Sequence, residues 1–208
     1  MNDKIGEISI QDTSGQQVNL SLKVGSNFAK CLEMNNAWTA VFVEQLQHLQ
    51  STAPTESLAD LMVKHSFEDA HWNWLTKSLQ LSTSDYMWFS LESSNNVEAA
   101  IVIKHPQGSR FDQDEIYYID YLAIAPWNRS NPLSQRVFKG LGPVLMKEVG
   151  KYLNTKLKYR EGFSLHSLPQ AANFYSKIGM VDFGPDPTKQ DLNYFEMNQN
   201  EAQGFIYG

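Results

Sequence analysis

From Ile116 to Leu153 the chain reads IYYIDYLAIAPWNRSNPLSQRVFKGLGPVLMKEVGKYL, and this stretch constrains the fold more than any other. Ile116 to Ala125 is dense in β-branched and aromatic residues, which fit a buried strand. Pro126 ends it, because proline has no N–H to give to a ladder. A polar loop with basic residues follows, then Gly140-Leu141-Gly142 and an amphipathic helix. Val144, Leu145, Glu148, Val149, Tyr152 and Leu153 recur at helical spacing, with Lys147 and Lys151 on the other side. Pro143 suits the first helical turn, where its missing N–H costs nothing.

A glycine-rich loop feeding a helix start gathers backbone N–H groups at the positive end of the helix dipole. Glycine lets a phosphate approach the main chain, and Arg129, Arg136 and Lys139 add charge to the same loop. The alternative is an ordinary strand-to-helix turn with a glycine at each bend. Two common phosphate motifs are excluded. A Walker loop needs Lys-Ser/Thr after its last glycine, where Pro143-Val144 stands. A dinucleotide fingerprint needs a third Gly or Ala where Leu145 stands.

The next segment narrows the choice. Gly162 to Leu168 reads as a strand, and Pro169 to Met180 as a short helix ended by Gly179. Three features together resemble the GNAT family of acyl-CoA N-acyltransferases. They are the strand ending Leu122-Ala123-Ile124-Ala125-Pro126, the Gly140-Leu141-Gly142 helix start, and the block Ala171-x-x-x-Tyr175-x-x-x-Gly179-Met180. The likeness covers roughly residues 85 to 197.

That resemblance implies an α/β fold: a mixed, mainly antiparallel sheet of about seven strands, helices on both faces, and two middle strands that splay apart. It implies an acetyl-CoA-dependent N-acetyltransferase in which a primary amine attacks the thioester directly. Pantetheine would pair with Leu122, Ala123 and Ile124. Pyrophosphate would rest on amides around Lys139, Gly140, Leu141, Gly142 and Val144, with Pro143 omitted as a donor. Tyr175 matches the family's frequent acid, and its alternative role is a packed aromatic. Asp120 is the best-placed carboxylate for a base, and His166 is the runner-up. Strand alternation puts Asp120 on the face of Leu122 and Ile124.

The chain also departs from the family. Val137 occupies the usual basic position of the phosphate loop, with Arg136 one residue early. The loop from Pro126 to Gly140 is long, so Arg129 is a candidate substitute for the 3′-phosphate. Leu168 stands where an asparagine often opens the helix before the tyrosine, which leaves Asn173 as a candidate CoA contact. A GNAT-like module that binds acyl-CoA or a protein without catalysis therefore stays open beside the enzyme.

Upstream, Ile5 to Val24 alternates as a hairpin around Asp12-Thr13-Ser14-Gly15. Residues 25 to 80 read as helices. Trp38, Val41, Phe42, Gln45, Leu46 and Leu49 mark the first, which Ser51 to Pro54 breaks. Leu58, Leu61 and Met62 mark a second. A third is expected to start near Ser66, whose hydroxyl would cap it with Asp69 as the capping-box partner, and to carry Phe67, Ala70, Trp74 and Leu79, with His71 and Trp74 on one face. The resemblance implies that helices here wall the acceptor site. Met87 to Leu91 and Val97 to Lys104 form a second hairpin about a Ser93-Ser94-Asn95-Asn96 turn. Pro106 to Ser109 reads as a loop. Met180 to Phe183 and Asn193 to Met197 make a last strand pair joined by Gly184-Pro185-Asp186-Pro187, and Gln199 to Gly208 reads as a loosely ordered polar tail or one that docks through Phe205, Ile206 and Tyr207.

With 208 residues, one domain over 1–208 is expected, with a helical acceptor side at about 25–80 and an acyl-CoA core at about 85–197. The single cysteine, Cys31, excludes an internal disulfide, and the five histidines lack metal-ligand spacing. No metal cofactor is expected. A net charge of −6 argues against nucleic acid as a partner. No apolar run spans a membrane, and Met1-Asn2-Asp3-Lys4 lacks the start of a signal peptide. The expected protein is cytoplasmic, acts on a small-molecule or peptide amine, and is compatible with a homodimer.

Overall fold

The computed structural model describes residues 3–94, 96–131 and 133–208. Eight strands carry the fold: β1 (Asp3–Gln11), β2 (Gln17–Val24), β3 (Tyr86–Glu92), β4 (Val97–Gly108), β5 (Glu115–Ile124), β6 (Phe163–Ser167), β7 (Val181–Asp186) and β8 (Leu192–Met197). The helices are α1 (Phe28–Thr52), α2 (Leu58–Lys64), α3 (Trp74–Gln80), α4 (Leu141–Leu157), α5 (Ala172–Lys177) and α6 (Gln199–Tyr207). The strands hydrogen-bond in the order β1-β2-β3-β4-β5-β6-β8-β7. The β1/β2, β2/β3, β6/β8 and β7/β8 pairs are antiparallel and β5/β6 is parallel. The sheet is mixed and mainly antiparallel as expected, with eight strands rather than about seven.

The chain divides into two compact units. The first comprises residues up to Thr83 with Trp88–Ala100 and Ala123–Gly142. Its β1/β2 hairpin turns where Asp12 Oδ1 accepts from the backbone N–H groups of Ser14 (2.8 Å) and Gln16 (2.9 Å). Leu20 and Leu22 point inward and are buried. Asn27 caps α1, its side chain accepting from Lys30 N. Cys31, Met34, Trp38, Phe42, Gln45 and Leu49 form the buried stripe of that helix at spacings of three and four. Phe42 and Leu49 close on Leu61 of α2 and on Phe67. Trp74 touches three other indoles edge-on, with centroids 5.6 Å from Trp38, 5.8 Å from Trp72 and 6.3 Å from Trp88.

The expected third helix is capped seven residues late. Ser66 has φ 59°, a left-handed conformation that cannot start a helix. Asn73 is the actual cap, accepting from Thr76 N at 2.7 Å. Residues between Ser66 and Asn73 are turns held by tertiary contacts, so His71 and Trp74 share no helical face. His71 and Leu79 are exposed. In the β3/β4 turn, Ser93 N donates to Asn96 O at 3.0 Å; Asn95 of the expected turn lies outside the described residues.

The second unit comprises Ser84–Met87, Ile101–Leu122 and Pro143–Gly208. β4, which the two units share, is buried without alternation from Val97 to Ile103, as a strand covered on both faces reads. It continues to Gly108, through the expected Pro106 loop. Helix α4 buries Leu145, Met146, Val149, Gly150 and Leu153. A Cβ on Gly150 would lie 2.8 Å from Ile206 Cδ1 and 3.1 Å from Tyr117 Oη, so a glycine lets the helix seat closely. Ile206 belongs to α6, which is helical where a tail was expected and docks through that residue. Asn198 caps this helix, and Ala202 and Ile206 are buried on it. The last strand pair also differs: β7 runs through Gly184-Pro185-Asp186, and the connection is a 3-10 turn at Pro187–Lys189.

Trp74→Ala would remove the ring shared by three indole contacts. We expect a loss of about 3–5 kcal/mol of folding stability, the cost of an aromatic deletion in a packed core. Urea unfolding followed by tryptophan fluorescence measures it.

Candidate functional site

The β5/β6 ladder is short. Tyr117 pairs with Phe163, Tyr118 with Ser164 and Ile119 with Leu165. β5 then continues to Ile124, beyond these pairs. Register and alternation sort the side chains of β5, β6 and β8 by face. Tyr117, Ile119, Phe163, Leu165, Phe195 and Met197 make one apolar, buried face. Tyr118, Asp120, Ser164, His166, Tyr194 and Glu196 share the other, which is polar.

On the polar face a hydrogen-bonded chain crosses three strands. His166 Nε2 lies 3.1 Å from Asp186 Oδ2. An ionised carboxylate only accepts, so Nε2 carries the proton. Nδ1 of the neutral ring is then an acceptor, and the Tyr118 hydroxyl donates to it at 2.8 Å. Burial lowers the His166 pKa, against the pull of Asp186. The Thr188 hydroxyl and backbone N–H, helped by His166, hold Asp186 down at about 2. Burial raises Tyr118, and the charge of Asp120 raises it further. Asp120 is half-buried and also helps to raise Tyr86 and Tyr121, after burial. It thus sits among three phenols.

Arg110 closes the far side. Its Nη2 donates to Asp186 at 3.3 Å, and its guanidinium lies 3.8 Å from the Tyr194 ring centroid. Glu196 is fully buried and accepts from Ser109 Oγ (2.6 Å), Arg110 N (2.8 Å), Tyr194 Oη (3.0 Å) and Arg160 Nη2 (3.3 Å). Sequence reasoning singled out His166 but missed Tyr118 and Asp186. The alternation of Tyr118 with Asp120 was a signal; the pairing with Asp186 is tertiary and left none.

Tyr175 belongs to the apolar face. It is 8% exposed and packs on Phe174 (5.2 Å) and Phe195 (6.0 Å). Burial raises its pKa, keeping the phenol protonated at neutral pH. The structure therefore places the two expected catalytic side chains, Asp120 and Tyr175, on opposite faces of the sheet.

Leu122, in the second unit, is half-buried; in the first unit Ala123 is buried and Ile124 half-buried. Gly140 takes φ +72°, a turn conformation that favours glycine. A Cβ on Gly142 would lie 3.8 Å from Ile124 Cδ1. Arg136, Lys139 and Asn173 are exposed, Leu141 is buried and Val144 half-buried. Arg129 departs from expectation. Its Nη1 and Nη2 bind Asp69 bidentately at 2.7 and 2.5 Å, and its Nε donates to Ile124 O at 2.7 Å. The guanidinium is thus committed to a buried carboxylate and a carbonyl rather than presented as a spare phosphate ligand. Among the described residues, no group of three or more His, Cys, Asp or Glu is placed to hold a metal ion. No helix among them is long and apolar enough to cross a membrane.

No family model matches the chain. No curated protein matches it. Solved structures do. One is an uncharacterised protein from Bacillus halodurans, with TM-score 0.56 and 10% identity over 99% of this chain and 96% of that one. A putative GNAT-family acetyltransferase from Desulfovibrio desulfuricans aligns with TM-score 0.52 and 10% identity, over 86% and 98%. The PaiA N-acetyltransferase from Thermoplasma acidophilum, in complex with coenzyme A, gives TM-score 0.48 and 14% identity over 86% and 99%. At these identities the likeness is one of fold, and the fold is that of a GNAT acetyltransferase, as the quoted motifs implied.

The expected exclusion of nucleic acid is corrected. Matching structures include the KacTA–DNA complex (TM-score 0.46, 14% identity, 74% of this chain and 86% of that one). They also include the AtaT–AtaR complex bound to DNA (TM-score 0.46, 15% identity, 62% and 78%). Net charge describes an average surface, so −6 excludes no such assembly.

Two measurements test the site's electrostatics. Asp69→Asn leaves Arg129 without its buried counter-charge. We expect a loss of about 3 kcal/mol, read from the urea midpoint; an Arg129 free of Asp69 would leave that midpoint in place. Asp186 has a depressed folded-state pKa, so its contribution is present above 3.8 and lost as pH falls towards about 2. The wild type should lose Tm over that window more steeply than Asp186→Asn.

Proposed function

We propose that this protein is an acetyl-CoA-dependent N-acetyltransferase that moves an acetyl group from the thioester to a primary amine. The observation that carries the reading is the end of the β5/β6 ladder at Ile119 and Leu165. Strand β5 runs on past it, which suits a pantetheine arm pairing with Leu122, Ala123 and Ile124. The GNAT fold supports the same assignment.

In this reading the pyrophosphate lies on the backbone N–H groups about Gly140, Leu141, Gly142 and Val144, at the start of α4, with Arg136, Lys139 and Asn173 at hand. The positive φ of Gly140 and the lack of a side chain at Gly142 suit a close anion. Asp120 meets the incoming ammonium and draws off its first proton, which the amine must lose before it can attack. Backbone N–H groups of β5 stabilise the oxyanion, and holding the two reactants together supplies further rate. Tyr175, protonated and buried on the opposite face of the sheet from Asp120, is the candidate acid for the thiolate only if the leaving sulfur emerges on that face; otherwise the thiolate takes its proton from solvent. The acceptor is a small-molecule or peptide amine.

Thermal unfolding across an acetyl-CoA titration tests the cofactor. A ligand at a hundred times its Kd adds about 2.7 kcal/mol, so Tm should rise with acetyl-CoA and CoA and not with ATP. No rise with either thioester or thiol would leave a GNAT fold without this cofactor. Gly142→Asp sets a carboxylate at the pyrophosphate position and should weaken acetyl-CoA binding about tenfold, ~1.4 kcal/mol. Unchanged affinity on calorimetric titration would remove the loop from the site.

A further inference from the structure

We propose that Tyr118, His166 and Asp186 form a proton relay that takes the second proton from the acceptor amine, with the Tyr118 hydroxyl facing the substrate. The proposal rests on the acetyltransferase reading and adds the base that the reading lacks after attack.

Four observations carry it. The chain is continuous, from phenol to Nδ1 at 2.8 Å and from Nε2 to carboxylate at 3.1 Å. Its direction is fixed, because Asp186 can only accept and so leaves Nδ1 to receive the Tyr118 proton. Its position is also fixed. Tyr118 pairs in register with Ser164, yet its hydroxyl reaches His166, two residues further along β6. The phenol therefore leans along β5 towards Asp120 and the part of the strand beyond the ladder. Finally, the phenol end of the relay is shielded and its carboxylate end reaches solvent: Tyr118 is 6% exposed, and the side chains of His166 and Asp186 are 8% and 17% exposed.

The titratable and charged groups around His166 are Asp186 and Lys189 beyond it, Arg110 on Asp186, and the neutral phenols of Tyr118 and Tyr194 against its ring. Asp120 faces Tyr118 on β5. Burial and the two cations hold the imidazole neutral at pH 7, and Asp186 favours the imidazolium once a proton arrives.

The step balances. The amine, having given one proton to Asp120 and on to solvent, attacks the thioester carbonyl carbon through its lone pair. A C–N bond forms and the carbonyl π pair moves to oxygen. The nitrogen, now cationic, gives a proton to Tyr118 Oη as the Tyr118 proton passes to His166 Nδ1. The oxyanion pair re-forms the carbonyl, the C–S bond breaks, and the thiolate leaves with its electron pair and is protonated. The imidazolium returns its proton to solvent. Amine and acetyl-CoA become amide and CoA thiol. Tyr118 is the catalytic residue here; His166 and Asp186 are positioning residues that act through it.

The experiment follows CoA thiol release from acetyl-CoA with hydroxylamine as the acceptor, from pH 5 to 9, beside the acetyl-CoA thermal shift. Wild-type kcat should rise with pH through a group below the ordinary histidine range. His166→Gln and Tyr118→Phe should each lower kcat by about a hundredfold. Both should keep the acetyl-CoA shift, and His166→Gln should lose the acid limb of the profile. Nitrogen NMR of the imidazole should place the neutral proton on Nε2. The relay is overturned by variants that keep wild-type kcat and pH profile, by a proton on Nδ1, or by a wild type that binds acetyl-CoA yet releases no thiol. In each case the retained acetyl-CoA shift leaves the cofactor assignment standing. No shift in the wild type overturns both.

Discussion

The parallel ladder between β5 and β6 is only three register pairs long, and the proposed site depends on that shortness. A buried strand normally satisfies its N–H and C=O groups along its whole length. Where β5 runs past the pairs, its main chain must find other partners. Arg129 supplies one by donating to Ile124 O, and the amide of Ala125 finds the Glu98 carbonyl at 2.9 Å. A strand of this kind suits a ligand that is itself an extended chain of amides, because the ligand completes a ladder that the protein began.

The two faces of the β5/β6/β8 segment then divide the labour. The apolar face is a conventional core, closed by Gly150 and Ile206 at a distance that admits no side chain. The polar face is costly to build. A buried Glu196 is tolerable because four donors satisfy it, Arg160 among them. The same scaffolding orients Arg110, which backs Asp186 and stacks on Tyr194. A half-satisfied carboxylate would be worse than an apolar side chain, so the four donors to Glu196 are what make its burial tolerable.

Much of this was legible in the residues. Alternation located the hairpins, and the spacing of Trp38, Phe42, Gln45 and Leu49 located α1. Pro126 and the glycines at 140 and 142 bounded β5 and α4. The misses share a physical origin. Ser66 has the composition of a cap but sits at φ 59°, because Phe67 is drawn into a cluster with Phe42, Leu49 and Leu61 and tertiary packing overrides local preference. Helix α6 looked like a polar tail because only Ala202 and Ile206 are buried on it, too few apolar positions to show a period. In the site, Asp120, His166 and Tyr175 were visible as residue types. The ties of Arg129 to Asp69 and of His166 to Asp186 were not, since pairs 60 and 20 residues apart leave no trace in spacing.

The long loop after β5 has one more property. Glu98 accepts from Trp127 Nε1 and Asn128 Nδ2, both at 2.7 Å, while Asn128 Oδ1 accepts from Phe138 N at 3.0 Å. One asparagine thus clasps both ends of the loop to a buried carboxylate. Thr13 adds a second clasp to the carbonyls of Arg136 and Val137. Loop closure costs only slowly more as a loop lengthens, and here both anchors lie outside the segment they close. The two ends of the loop are therefore held by groups that precede it in the chain, Glu98 and Thr13, so its anchoring does not depend on the residues between Arg129 and Arg136.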